Sequence, residues 1–207
     1  MLRRLPAYPL AGRRLFRIHG RRHLAPWWFA SAPRESSIGG RFDLAEPYGS
    51  CYLATSVGAS TLEALQGLLG DGLVLRSVLD RLLVSTVTAS PTAPPAARLT
   101  AAACSGIGIT EELWAASDRR LTKSWAGALH RAWDGIYTGV AHDPTGRSRA
   151  VTLFDYAGEH APFGDDRWTF TSRPASAEPG IAATLRRHGV EVVVPGDLEV
   201  VAFEETP

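Results

Sequence analysis

At 207 residues, 45% hydrophobic and 21% charged, with a mean hydropathy of −0.05, the chain has the makeup of one globular domain with a substantial core. No apolar run approaches the roughly 18 residues that a membrane helix needs. Two cysteines, Cys51 and Cys104, are too few for a disulfide framework, so a cytoplasmic protein without a membrane anchor is expected.

The net charge of +1 hides an asymmetry. Residues 1–41 carry nine Arg against Glu35 alone, whereas residues 190–207 carry five acids and no Lys or Arg. The basic section suits an anionic ligand or an acidic partner. Direct nucleic-acid binding is not expected, because no groove-reading motif accompanies the charge. Pro6, Pro9, Arg13 and Arg14 break any signal-peptide apolar region. No Cys/His spacing fits a zinc site and no Walker-type or GxGxxG loop occurs, so neither a metal nor a bound cofactor is expected. One domain over residues 1–207 is expected, with residues 1–12 as a less ordered arm.

In chain order, RLFRIH (Arg14–His19) alternates as a half-buried strand does. A loop with Trp27, Trp28 and Phe29 follows, read as ordinary packing ahead of a lid or a partner patch. Gly49–Thr55 reads as a strand. Gly58–Leu69 reads as a helix with a Leu62, Leu65, Leu69 stripe and a stop at Gly70. Glu63 sits about 100° from Leu62, at the edge of that stripe. Leu82–Ala89 is a β-branched strand, and the proline-rich Ala89–Ala97 a loop. A short helix starts at Thr110, and a longer one spans Ser124–Trp133 with Trp125, Leu129 and Trp133 on one face. Gly135–Val140 and Arg149–Phe154 read as strands joined through the turn DPTG. A strand at Arg167–Ser172, a helix from Pro179 to His188-Gly189, and strands at Val190–Val194 and Leu198–Phe203 complete the chain. Short strands without regular βα alternation predict an α+β domain.

The stretch GGRFDLAEPYGSCYLATSVGASTLEAL, Gly39–Leu65, carries the densest chemistry. An Arg on a Gly-Gly turn, a Tyr in a short strand and a Glu on the next helix can converge on one phosphate-bearing ligand. Taken singly, each has a plain alternative: a salt-bridged strand Arg, a core Tyr, a solvated helix Glu. His19 and His142 are the histidines nearest this group in sequence, readable as acid or base or as structural residues.

Arg17 in LFRIH, Arg41 in GGRFD, Tyr52 in CYLA and Glu63 in TLEAL stand in the order of a known signature. The chain resembles the RES-domain family, named for an arginine, a glutamate and a serine. The resemblance implies an ADP-ribosyltransferase-like fold, two packed β-sheets around an NAD cleft with flanking helices. It implies an NAD-consuming activity, NAD being substrate and not cofactor, that cleaves the nicotinamide–ribose bond with water or inorganic phosphate as acceptor. By the same resemblance the protein is a toxin silenced by a cognate antitoxin with a helix-turn-helix domain. Arg17 and Arg41 would hold phosphate or ribose, Tyr52 would lie against nicotinamide or its ribose, and Glu63 would stabilise the cationic transition state. The family serine is missing: ungapped matching puts Val140 there, leaving Thr138 or His142 to supply a polar group. Two alternatives follow, transfer of ADP-ribose to a macromolecule and a catalytically weakened NAD- or partner-binding domain. Self-association is left open.

Overall fold

The computed structural model of the chain describes residues 1–23, 25–141, 143, 145–160, 167–194 and 196. The strands are β1 (Ala7–Tyr8), β2 (Arg14–Gly20), β3 (Trp28–Phe29), β4 (Tyr48–Ala54), β5 (Leu73–Leu75), β6 (Leu82–Ala89), β7 (Ala96–Arg98), β8 (Gly135–Gly139), β9 (Arg149–Tyr156), β10 (Gly158–Glu159), β11 (Trp168–Pro174) and β12 (Glu191–Val193). The helices are α1 (Val57–Leu65), α2 (Arg76–Asp80), α3 (Glu112–Ala115), α4 (Arg119–His130) and α5 (Pro179–Arg187). The expected strand Leu198–Phe203, His142 and Pro144 of the DPTG turn lie outside the described residues.

Eight strands form one sheet in the order β1-β7-β8-β9-β4-β2-β6-β11. Seven residue pairs join β4 to β9, and seven join β2 to β6. A single pair, Phe16↔Ala54, joins β2 to β4. The two sheets that the family resemblance implies are here two halves of one continuous sheet, joined at this single rung. So narrow a junction leaves backbone and side chains free to line a cleft, and the site lies here.

Period-two alternation divides the core across the sheet. On β2, Leu15 joins a cluster with Trp27, Phe29, Cys51, Leu53 and Val87, while Ile18 joins Leu65, Leu79, Ile181 and Leu185 on the other side. Each fully buried Leu or Ile contributes about 1.5–3 kcal/mol. Trp27 and Phe29 are buried and Trp28 is exposed, so two of the three aromatics are core. Residues 1–12, expected as a looser arm, are tied in: β1 pairs with β7, Tyr8 stacks on Tyr137 at 3.8 Å, and Leu10 is buried. That pairing also takes the end of the expected Ala89–Ala97 loop into the sheet.

Two helix boundaries differ from the sequence reading. Ser56 caps α1, its side chain accepting from the Ala59 N–H, but α-helical bonding ends at Leu65. A 3-10 turn, Gln66–Asp71, continues it and closes at Gly72, whose φ of 70° is left-handed, in place of the expected stop at Gly70. This tighter winding brings Leu68 and Leu69 against the cluster under α5. α4 starts five residues before the expected Ser124, because the Asp118 side chain accepts from the N–H groups of Arg120 and Leu121.

His19 is structural. Its Nε2 lies 2.7 Å from Ser85 Oγ, which lies 2.7 Å from Ser172 Oγ, linking β2, β6 and β11. Burial, helped by the Arg17 charge, lowers its pKa to about 4. The folded chain thus holds a neutral ring, while the unfolded chain binds a proton below about 6.5. The stability gained is complete above that value and is lost progressively as pH falls from about 6.5 to 4. Urea midpoints measured across this window should fall with pH, and His19→Gln should flatten the fall. An unchanged pH profile in that variant would reject the assignment.

Candidate active site

Three adjacent strands supply the floor of a pocket of about 260 Å³. Tyr52 on β4 sits opposite Thr152 on β9, and Thr138 on β8 sits opposite Ala150. Small residues at Ala54, Gly139 and Ala150 keep the floor low. α1 packs on β2, β4 and β9 and brings Ser60 and Glu63, one turn apart, to one wall. The Gly39–Phe42 turn, Trp114 and Arg119 form the wall opposite.

The turn bearing Arg41 is fixed from several directions. The Tyr52 hydroxyl donates to Asp43 Oδ1 at 2.7 Å and accepts from the Phe42 N–H at 2.9 Å. Asp43 Oδ2 accepts from the Gly40 N–H at 2.6 Å. From α4, Thr122 Oγ1 donates to the Arg41 carbonyl, and the buried Lys123 Nζ donates to the carbonyls of Ser36 and Ile38. Arg41 Nη1 itself donates to the Ala116 carbonyl. Gly39, at φ 92°, adopts the left-handed conformation the turn requires.

Burial, reinforced by the Asp43 carboxylate, holds the Tyr52 phenol well above its usual range. It stays protonated and acts as a fixed hydrogen-bonding strut whose ring lines the pocket. Tyr52→Phe should cost about 1–2 kcal/mol, because Asp43 Oδ1 and the Phe42 N–H lose their partner. Urea unfolding checks this, and a loss below about 0.5 kcal/mol would mean water replaces the hydroxyl.

Arg41 is half-buried, and burial with the nearby Arg119 charge lowers its pKa, against the opposing pull of Glu63 and Tyr52. The Glu63 carboxylate, half-buried on α1, accepts no hydrogen bond and joins no ion pair among the described residues. A partly dry carboxylate near the Arg41 guanidinium and the Tyr52 phenol can stabilise positive charge that develops on a bound ligand.

The structure therefore brings Arg41, Tyr52, Glu63 and Thr138 to one pocket. Arg17 lines it where β2 and β4 part, but its Nη1 donates to the Pro26 carbonyl at 2.5 Å, the Trp28 carbonyl at 3.1 Å and Cys51 Sγ at 2.5 Å. Cys51 is on the face of β4 opposite Tyr52. This Nη1 thus anchors the Pro26–Trp28 loop, where the sequence reading had the guanidinium on ligand phosphate or ribose. Val140, standing where the family serine is expected, packs with Ala54, Ala59 and Leu62 beneath α1. Both cysteines are free and buried, and burial pushes both thiols up, so neither offers a ready thiolate. Sequence reasoning missed Ser60, Trp114, Arg119 and Thr152. Arg119 left a signal: Arg-Arg directly after a capping Asp puts cations at the amino end of a helix, where the dipole disfavours them.

An α+β domain with a parted sheet and a cationic pocket at the parting is consistent with an ADP-ribosyltransferase-like fold. Within it, the chain belongs to the RES-domain family, whose pattern it matches over residues 14–173. Among solved structures it is similar to one from the M. tuberculosis MbcT–MbcA toxin–antitoxin complex, with a TM-score of 0.57 and 12% identity, covering 88% of this chain and 92% of that one. At that identity the likeness is one of fold. No curated protein matches the chain. Among the described residues no helix is long and apolar enough to cross a membrane, and no cluster of three or more His, Cys, Asp or Glu is placed to hold a metal.

Proposed function

We propose that this protein consumes NAD by breaking the bond between nicotinamide and its ribose, and that it serves as the toxin of a toxin–antitoxin pair. The observation that carries the reaction is Glu63, a carboxylate without hydrogen bond or ion pair among the described residues, sharing one pocket with Arg41 and Tyr52. As the C1′–N bond lengthens, its electron pair leaves with nicotinamide and positive charge grows on the ribose, an oxocarbenium-like state. Glu63 stabilises that charge, and does so more strongly in the transition state than in the ground state. Arg41 neutralises phosphate oxygens of the substrate. The acceptor is water or inorganic phosphate, whose oxygen bonds to C1′ and whose proton passes to solvent. Thr138 and Ser60, both buried on the pocket wall, provide hydroxyls where the family's serine is absent.

The toxin role rests on family membership and on the fold shared with a structure from a toxin–antitoxin complex. Its partner is an antitoxin with a helix-turn-helix domain, and its place of action is the cytoplasm. Pure protein incubated with NAD, with and without phosphate, tests the reaction, with Glu63→Ala as the blank. Nicotinamide release above the blank supports it. Absence of release in both conditions rejects it, and labelled ADP-ribose appearing on a macromolecule would favour transfer over hydrolysis or phosphorolysis.

A further inference from the structure

α4 is twelve residues long and opens on Arg119, a cation at the end of a helix that attracts anions. The neighbouring Asp118 does not compensate it. That carboxylate accepts from the N–H groups of Arg120 and Leu121 and lies 3.6 Å from Arg120 Nε, so it serves the backbone and the next residue. Arg119 is half-buried, lines the pocket, and has no ion pair or side-chain hydrogen bond among the described residues. Arg41 stands on the same wall, close enough that the two charges oppose each other. Glu63 is the one carboxylate among the described residues lining the pocket, against three arginines, of which Arg17 has its Nη1 engaged by Pro26, Trp28 and Cys51, so Arg41 and Arg119 are left with a single negative charge between them.

The two arginines are also mounted on one frame. Arg41 donates to the carbonyl of Ala116, three residues before Arg119, and its own carbonyl accepts from Thr122, three residues after. The Arg41 side chain and the backbone that carries Arg119 are thus held in a fixed relation before any ligand arrives, which lowers the ordering cost of binding. Like charges held together in a half-dry site are unfavourable until an anion lies between them. Paired guanidinium forks match the oxygens of phosphate groups.

We propose that Arg119 is a second binding residue of this pocket, gripping with Arg41 the diphosphate of a nucleotide ligand. The identity of that ligand as NAD or ADP-ribose rests on the function proposed above, whereas the diphosphate grip does not. Calorimetric titration of the full chain with inorganic pyrophosphate and with ADP-ribose is the test. Arg119→Gln should weaken both by about 10- to 100-fold. Arg119→Lys, which keeps the charge but loses the fork, should lose about 3- to 10-fold. Arg120→Gln, one residue on, should stay within about twofold, since its charge is already met by Asp118. With NAD as substrate, Arg119→Gln should raise KM by a similar factor and leave kcat within about threefold. Thermal melts establish that each variant is folded, and the lysine variant keeps the test decisive should the glutamine variant not fold. Unchanged pyrophosphate and ADP-ribose binding in Arg119→Gln overturns the assignment. So does an equal loss in Arg120→Gln, which would mean a diffuse effect of surface charge. Arg119-dependent pyrophosphate binding without NAD cleavage would keep the grip and reject the reaction, and normal NAD kinetics in Arg119→Gln would do the reverse.

Discussion

Glu63→Gln should slow NAD cleavage by roughly 10²- to 10³-fold, the usual loss when one preorganised electrostatic group of an active site is removed. The substitution is nearly isosteric, and no hydrogen bond or ion pair among the described residues depends on the carboxylate. The melting temperature should therefore move little. Binding should move in the opposite direction to the rate. Glu63 is the negative charge that offsets the crowding of Arg41 and Arg119, and neutralising it leaves the pocket more cationic. The NAD dissociation constant of Glu63→Gln should be equal to or lower than that of the parent. A variant that binds substrate as well and turns it over far more slowly has lost an interaction special to the transition state. Retention of more than about a tenth of the parent rate would remove Glu63 from the chemistry, because a stabilising anion cannot be dispensed with so cheaply.

How much of this was legible in the sequence follows from the range of the contacts involved. β2 was readable because RLFRIH carries the period-two pattern within six residues, and the observed strand adds only Gly20. The α+β class was readable for the same reason, since it needs only the order of local elements. Arg41, Tyr52 and Glu63 could be grouped because they belong to one motif-bearing stretch. Lys123 could not be read. A lysine on a helix is ordinarily solvated, and this one is buried because the Ser36–Ile38 loop, more than eighty residues earlier, folds over it. β1 was missed because its partner β7 lies ninety residues away and neither strand exceeds three residues. The role of Gly40 was half legible: the Gly-Gly turn was read, but not what packs against it. Its near neighbours are the Tyr52 hydroxyl and the Asp43 carboxylate, a contact set by how β4 returns beneath the turn.

That contact makes Gly40→Ala a damaging small change in the turn. A Cβ at Gly40 would collide with the Tyr52 hydroxyl, and would lie 2.5 Å from Asp43 Oδ1 and 2.7 Å from Tyr52 Cζ. Neither neighbour can easily yield, since the hydroxyl is held by two hydrogen bonds and Asp43 is buried and also holds the Gly40 N–H. Gly40 is not in the left-handed region, so the cost is steric and not conformational. Overpacking together with the strained hydrogen bonds should cost about 2–4 kcal/mol. Because Arg41 follows directly, a displacement near 1 Å should also lower kcat/KM by about 10²-fold. Gly70→Ala is the control: nothing lies within 4 Å of its Cβ, and its stability should be unchanged or slightly higher. Removing the obstructing hydroxyl should relieve part of the strain, so the Gly40→Ala, Tyr52→Phe double variant should be more stable than the sum of the single losses implies. Urea unfolding of the four proteins decides the matter. Simple additivity, or a Gly40→Ala loss within about 0.5 kcal/mol of zero, would mean the turn stands off from Tyr52 and that Arg41 is positioned without it.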